Sequence, residues 1–125
     1  MRRYLFTVAA VLALAAPALA DELSDAKAAI AAAKLSAKTD MIMWCAAAFG
    51  LAEQLDADGP AKKTDGEVTT ILFAKGTPMM TSEGVAAANL TRLTQDYVAV
   101  AKSELVDGLG TPQHTQDECL AAAKN

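Results

Sequence analysis

The sequence has few of the residues from which catalytic and metal sites are usually built. Its 125 residues include one His, two Cys and one Trp. It lacks a Gly-rich phosphate loop, a C-x-x-C-H haem-attachment motif and any Ser, Cys or Asp in a recognisable nucleophile motif. A closed zinc site needs four ligands, more than the Cys pair and the single His provide. We therefore expect a protein that is not an enzyme and that carries no metal and no cofactor.

The first twenty residues have the pattern of a secretory signal peptide. Two Arg give the start a positive charge, an apolar core spans residues 5–16, and the Pro-Ala-Leu-Ala that ends at Ala20 has the small-x-small pattern that signal peptidase accepts. We expect cleavage between Ala20 and Asp21, with an uncleaved anchor as the alternative. The Ala-rich, compact signal suggests a Gram-negative exporter. The expected location is therefore the periplasm, or outside the cell if the protein is secreted further.

Cleavage would leave residues 21–125, the length of a single helical domain. Arg2 and Arg3 leave with the signal, so nine basic and 15 acidic residues remain and the net charge is about −6. Phosphate binding needs a clustered positive field, so we expect no nucleic-acid partner. An unknown protein or a small molecule remains open as the partner.

The longest apolar run of residues 21–125 predicts a buried central helix. It covers the twelve residues from Met41 to Ala52 and contains Trp44 and Cys45. A helix that is apolar on all sides is buried, and a bilayer span needs about 20 residues. We expect this helix over about residues 39–56, with Trp44 as the core anchor and no stable membrane span after signal cleavage. The small residues Ala46, Ala47, Ala48 and Gly50 are expected to leave flat patches where neighbouring backbones approach closely.

Helical spacing on both sides of this run predicts an all-α fold, a small bundle of four or five helices. Residues 22–56 form one helix or two, and the weak point of this segment is at 36–40. Thr64 and Glu67 form a capping box that predicts the start of a short helix, and this helix is expected to end at Gly76.

The remaining segment predicts two more helices. A long helix is expected from about Ser82 to Gly108. A second capping box, from Thr115 to Glu118, predicts a C-terminal helix over about residues 116–124.

The two cysteines, Cys45 and Cys119, predict one disulfide. An even cysteine count in an oxidising compartment is typical of disulfide pairing, and two cysteines allow a single intramolecular connection. This bridge would fasten the C-terminal helix, which is too short to be stable alone, to the central helix.

Three further patterns suggest sites, and each has a structural explanation. Residues 56–67 have Asp at positions one and three and Glu at twelve of a calcium loop, but Ala61 stands where such a loop needs Gly. Met79 and Met80 offer Cu(I) ligands if the fold brings them to His114, although Met more often fills gaps in cores. The acidic pair at residues 104 and 107 on the long helix is expected on the solvated surface.

Three functions remain open from the sequence. One is a small exported binding or protein-interaction module without catalysis, and another is a metal or small-ligand carrier. The remaining one is an acid- or envelope-stress chaperone. For this function the Trp44-Cys45 pair, the small size and the single disulfide resemble the periplasmic acid-stress chaperones. That resemblance implies exposure of apolar surface in acid. The cysteine spacing is wider than in that family, so no site residue is carried across.

Overall fold

A computed structural model of the chain describes residues 16–55 and 62–125, with side chains from Asp21 onward. Five α-helices and one 3₁₀ turn account for most of these ranges, and no strand occurs within them. The all-α bundle predicted from the sequence is therefore confirmed. The elements are α1 (Ala16–Ala33), α2 (Ala37–Leu55), α3 (Lys62–Ser82), the turn Ala87–Asn89, α4 (Leu90–Leu105) and α5 (Gln116–Lys124).

The centre of the bundle is α2, the helix predicted from the apolar run. It packs most extensively on α3 and also contacts α4 and α5, while α1 packs on α4. The six consecutive residues 42–47 are all buried. Since six residues cover more than one full turn, α2 is enclosed on every side through its middle.

The segment before and within the apolar run forms two helices, because the chain turns at residues 34–36. Lys34 has a φ of 52°, in the left-handed region, and it follows the last residue of α1. The Oγ atom of Ser36 accepts a hydrogen bond from the backbone N–H of Thr39 at 3.2 Å, which satisfies one of the free donors at the start of α2. The break thus lies at the N-terminal edge of the weak point expected at 36–40.

The prediction of a short third helix was wrong at both ends. Helix α3 begins at Lys62, two residues before the expected N-cap Thr64. It also continues through Gly76 and Pro78 to Ser82. Pro78 removes one intrahelical donor, but the helix extends past it.

Gly76 lies inside α3 because the helix is pressed closely against α2 at this position. A Cβ atom placed on Gly76 would lie 2.5 Å from the Sδ atom of Met43 and 3.1 Å from a methyl of Ile42. At Gly50, by contrast, a Cβ would meet the methyl of Thr69 at an ordinary 3.5 Å. Of the positions expected to allow close approach, Gly50 thus has ordinary spacing, and a tighter contact lies at Gly76.

The stop signal of α3 is Gly84. Its φ of 101° is left-handed, its N–H donates to the carbonyl of Thr81 at 3.1 Å, and the N–H of Val85 donates to the carbonyl of Met80 at 3.0 Å. This pair of bonds is a Schellman motif. The long helix expected from Ser82 to Gly108 is consequently shorter, since α4 covers only Leu90–Leu105.

The C-terminal helix α5 follows its prediction. Thr115 caps it, and Glu118 completes the reciprocal capping box. At the other end, the Nζ atom of Lys75 donates to the carbonyls of Ala122 and Ala123 at 3.0 and 2.9 Å. Both ends of this nine-residue helix are therefore held, one locally and one by α3.

Within the described ranges, none of the helices combines the length and the hydropathy needed to cross a lipid bilayer.

Candidate ligand-binding cavity beside the central helix

Two alanines one turn apart on α2, Ala48 and Ala52, leave an open depression in the surface. Its volume is about 280 Å³. Trp44 and Phe49 also line it from α2, and they are almost fully buried, with 1% and 6% of their surfaces exposed. The floor is therefore apolar and closely packed. The walls come from α3 (Asp65), α4 (Leu105) and the start of α5 (His114, Thr115, Gln116, Cys119).

The indole of Trp44 is fixed by a carboxylate on α4. Its Nε1–H donates to Oε1 of Glu104 at 2.7 Å. The side-chain amide of Gln113 donates to the two oxygens of Glu104 at 3.2 and 3.3 Å. Glu104 thus satisfies the buried indole donor and holds the loop before α5 against the core.

His114 stands over the edge of Trp44 at the wall of the cavity. The two rings are 5.6 Å apart at an interplanar angle of 66°, an edge-to-face arrangement that aromatic rings favour. The Nδ1 atom of His114 lies 3.1 Å from Oε2 of Glu118. Hydrogen bonds from His114 and then from the backbone N–H of Thr115 lower the pKa of Glu118 below its ordinary value.

The two cysteines lie at disulfide-bonding distance under this wall. The Sγ atoms of Cys45 and Cys119 are 2.11 Å apart and their Cα atoms are 5.3 Å apart. Cys45 and Cys119 are 0% and 1% exposed, so the bridge is shielded from solvent. It fixes the first turn of α5, and with it the cavity wall, to the middle of α2.

A second polar cluster joins the start of α2 to the end of α3. The carboxylate of Glu83 accepts hydrogen bonds from the backbone N–H of Ser36, the Ser36 hydroxyl at 3.1 Å and the Thr39 hydroxyl. These donors, that of Thr39 first, lower the pKa of Glu83 below its ordinary value. Nearby, the hydroxyl of Tyr97 donates to Oδ1 of Asp40 at 2.6 Å. Burial, followed by this hydrogen bond, raises the pKa of Tyr97.

A third polar position lies between α1 and α4. The Oδ2 atom of Asp96 is buried and has no hydrogen-bond partner among the described residues. Burial raises the pKa of Asp96, and the charge of Arg92 opposes that shift. Both residues line two shallow depressions of about 320 and 470 Å³. These depressions have a more polar lining than the cavity beside α2.

The residues considered for a copper site are distributed over different parts of the bundle. Met80 is fully buried in the core. Met79 lines a separate depression of about 530 Å³ with Lys38 and Lys75, whereas His114 lines the cavity over Trp44. Among the described residues, no group of three or more His, Cys, Asp or Glu is placed to hold a metal ion.

The segment that resembles a calcium loop is only partly described. Residues 56–61 lie outside the described ranges, and residues 62–67 form the first turns of α3. The half that is described is therefore helical, with Glu67 on the exposed side of α3.

Several residues in the cavity lining or bonded to it were not predicted as site residues. Glu104 was expected on the solvated surface beside Asp107, but it is bonded to an indole 60 positions away. Ala48 and Ala52 read as ordinary core positions within an apolar run. No local signal distinguishes them, because the depression depends on how α3, α4 and the residues around the start of α5 surround these two alanines in the fold.

Fold and cavity together define a small disulfide-linked helical bundle with one face of its central helix left partly open. No protein-family model, no curated protein and no solved structure matches the chain.

Proposed function

We propose that this chain is an exported, non-catalytic binding module that takes a small, largely apolar molecule into the cavity beside α2. The observation that carries the proposal is the depression over Ala48 and Ala52. Its floor is apolar and formed by buried side chains, and a few polar side chains also line it. Small-molecule sites commonly combine these two features.

An exposed apolar side chain of the cavity lining supports this function. Leu105 lines the cavity and is 44% exposed. A ligand in the cavity would cover part of Leu105.

Export is the second part of the proposal. Of the expected signal, residues 1–20, residues 1–15 lie outside the described ranges, and residues 16–20 with the expected cleavage point after Ala20 lie inside α1. A disulfide at the wall of the site fits an oxidising compartment such as the periplasm.

The test compares the exported, oxidised protein with two single variants. Ala52→Leu fills the cavity, and Ala28→Leu makes the same change at an exposed position of α1. Backbone NMR shifts are recorded with small aromatic and alkyl compounds that have cationic, neutral or anionic head groups. We expect at least one compound to shift the amides of residues 48–52 and 114–116 in the wild type and in Ala28→Leu, but not in Ala52→Leu. Binding by Ala52→Leu equal to that of the wild type, or no response at these amides, would contradict the proposal.

A stress chaperone is the second candidate, and the hydrogen-bonded carboxylates favour it. The ionised carboxylate of Glu83 accepts hydrogen bonds from Ser36 and Thr39 and so ties the start of α2 to the end of α3. Protonation in acid weakens these bonds, and we infer that this loosens the packing of α2 on α3. The chaperone function requires apolar-dye binding and suppression of client aggregation at about pH 2–3, where carboxylates are protonated. A protein that stays compact and inert there would eliminate it.

A further inference from the structure

We propose that the cavity selects a small organic cation, with an ammonium group on a compact aromatic or alkyl body. This inference rests on the proposed function and names its ligand class. Among the described residues that line the cavity, Asp65 is the only carboxylate, and none is a Lys or an Arg. A ligand that places its apolar part over Ala48 and Ala52 therefore lies beside one carboxylate and beside no basic side chain of the described residues.

The other acidic groups near the cavity are already engaged. Glu104 accepts from the indole of Trp44 and from Gln113, and Glu118 is bonded to His114. Within the described ranges, the carboxylate of Asp65 makes neither an ion pair nor a side-chain hydrogen bond. It is thus available to accept a hydrogen bond from a ligand. Charge-assisted bonds of this kind are stronger than neutral ones.

His114 is the other titratable group of the lining. Its Nδ1 atom faces Glu118, so a positive charge on the ring would be compensated by its own partner. The basic residues nearest to Asp65 in sequence, Lys62 and Lys63, are exposed and form no ion pair with a described residue. Within the described ranges, the carboxylate of Asp65 is therefore paired with neither His114 nor these two lysines.

Asp65 also has a structural role that the test must separate from binding. It lies in the first turn of α3, where a carboxylate interacts favourably with the helix dipole. Glu67 stands two residues further along the same helix, is exposed and does not line the cavity. Neutralising Glu67 therefore changes the net charge by the same amount without touching the cavity lining.

Cavity size limits the body of the ligand. About 280 Å³ is near the lower end of small-molecule sites, which span roughly 300–1,000 Å³. One aromatic ring or a short branched chain fits this space. The ammonium group stays partly hydrated at the open mouth, so its contribution should weaken as salt is added.

The experiment titrates the exported, oxidised protein with three matched probes: 2-phenylethylammonium, 2-phenylethanol and 3-phenylpropionate. Affinities are read from the NMR shifts of residues 48–52 and 114–116 in the wild type, Asp65→Asn and Glu67→Gln. We expect the ammonium to bind about two- to fivefold tighter than the alcohol in the wild type, the scale of one ion pair at a partly solvated site. Asp65→Asn should bring this ratio close to one without changing the affinity for the alcohol, while Glu67→Gln should preserve it.

The other possible outcomes refute the cation preference, the role of Asp65 or the proposed function. If the alcohol or the carboxylate binds at least as tightly as the ammonium in the wild type, the cation preference is refuted and the proposed function stands. An equal loss of preference in Glu67→Gln would assign the effect to the overall charge and refute the role of Asp65. If no probe shifts these amides, the proposed function fails together with this inference.

Discussion

Gly76 and Gly50 differ in the space around their backbones, and this difference cannot be read from the neighbouring sequence. Both lie inside helices, where Gly is less favourable than Ala by about 0.5–1 kcal/mol. A Cβ on Gly76 would lie 2.5 Å from Sδ of Met43, a side chain with no exposed surface, whereas a Cβ on Gly50 has ordinary room. The core therefore requires Gly at position 76 but not at position 50.

We predict opposite effects when each of these glycines is replaced by Ala. Gly50→Ala should stabilise the protein by about 0.5–1 kcal/mol through helix propensity. Gly76→Ala gains the same propensity but forces Met43 and Ile42 to move, which costs about 1–3 kcal/mol, so its net effect should be destabilising. Urea unfolding followed by circular dichroism measures both changes. Equal stabilisation by the two substitutions would show that α2 and α3 are not closely apposed at Gly76.

At the level of helices, Glu83 connects the end of α3 to the start of α2 through side-chain hydrogen bonds. It follows the end of α3 and accepts from donors at the start of α2. Its lowered folded-state pKa means that its contribution to stability is present above the ordinary value of 4.5 and is lost as the pH falls through the folded value.

We therefore predict that Glu83→Gln reduces the pH dependence of stability in acid. The wild type should lose stability more steeply than the variant below about pH 4.5, because only the wild type must protonate a hydrogen-bonded carboxylate. Thermal unfolding between neutral and acidic pH measures the difference. Glu67→Gln, which neutralises an exposed acid on α3, serves as the control. Parallel curves for wild type and Glu83→Gln would contradict this assignment.

Helices with local signals could be predicted from the sequence, and those set by distant contacts could not. The apolar run located α2, and the capping box at Thr115 located α5. Gly76 and Pro78 looked like a helix end, but the packing of Gly76 on Met43 is visible only in the fold. The cavity was missed for the same reason, since its floor and walls come from four separate elements.

At the level of the whole molecule, the bridge between Cys45 and Cys119 connects the centre of the bundle to its last helix. The cysteines are 74 positions apart, and chain entropy assigns about 4.5 kcal/mol to closing a loop of that size, a model-dependent upper figure. Small domains have a total stability of about 5–15 kcal/mol. The position of α5, and hence the cavity wall that includes His114, should depend strongly on this bridge.

The proposed function requires an exported, oxidised bundle in which the disulfide holds α5 at the cavity. Intact mass spectrometry of the exported protein, denatured without reductant and treated with a thiol-alkylating reagent, tests both requirements. Removing 20 of the 125 residues leaves 105, so we predict the mass of a monomer that begins at Asp21, lacks two hydrogens and carries no alkyl group. After reduction, the same protein should take up two. A chain that retains residues 1–20, two alkylated thiols before reduction, or a disulfide-linked dimer would contradict the account.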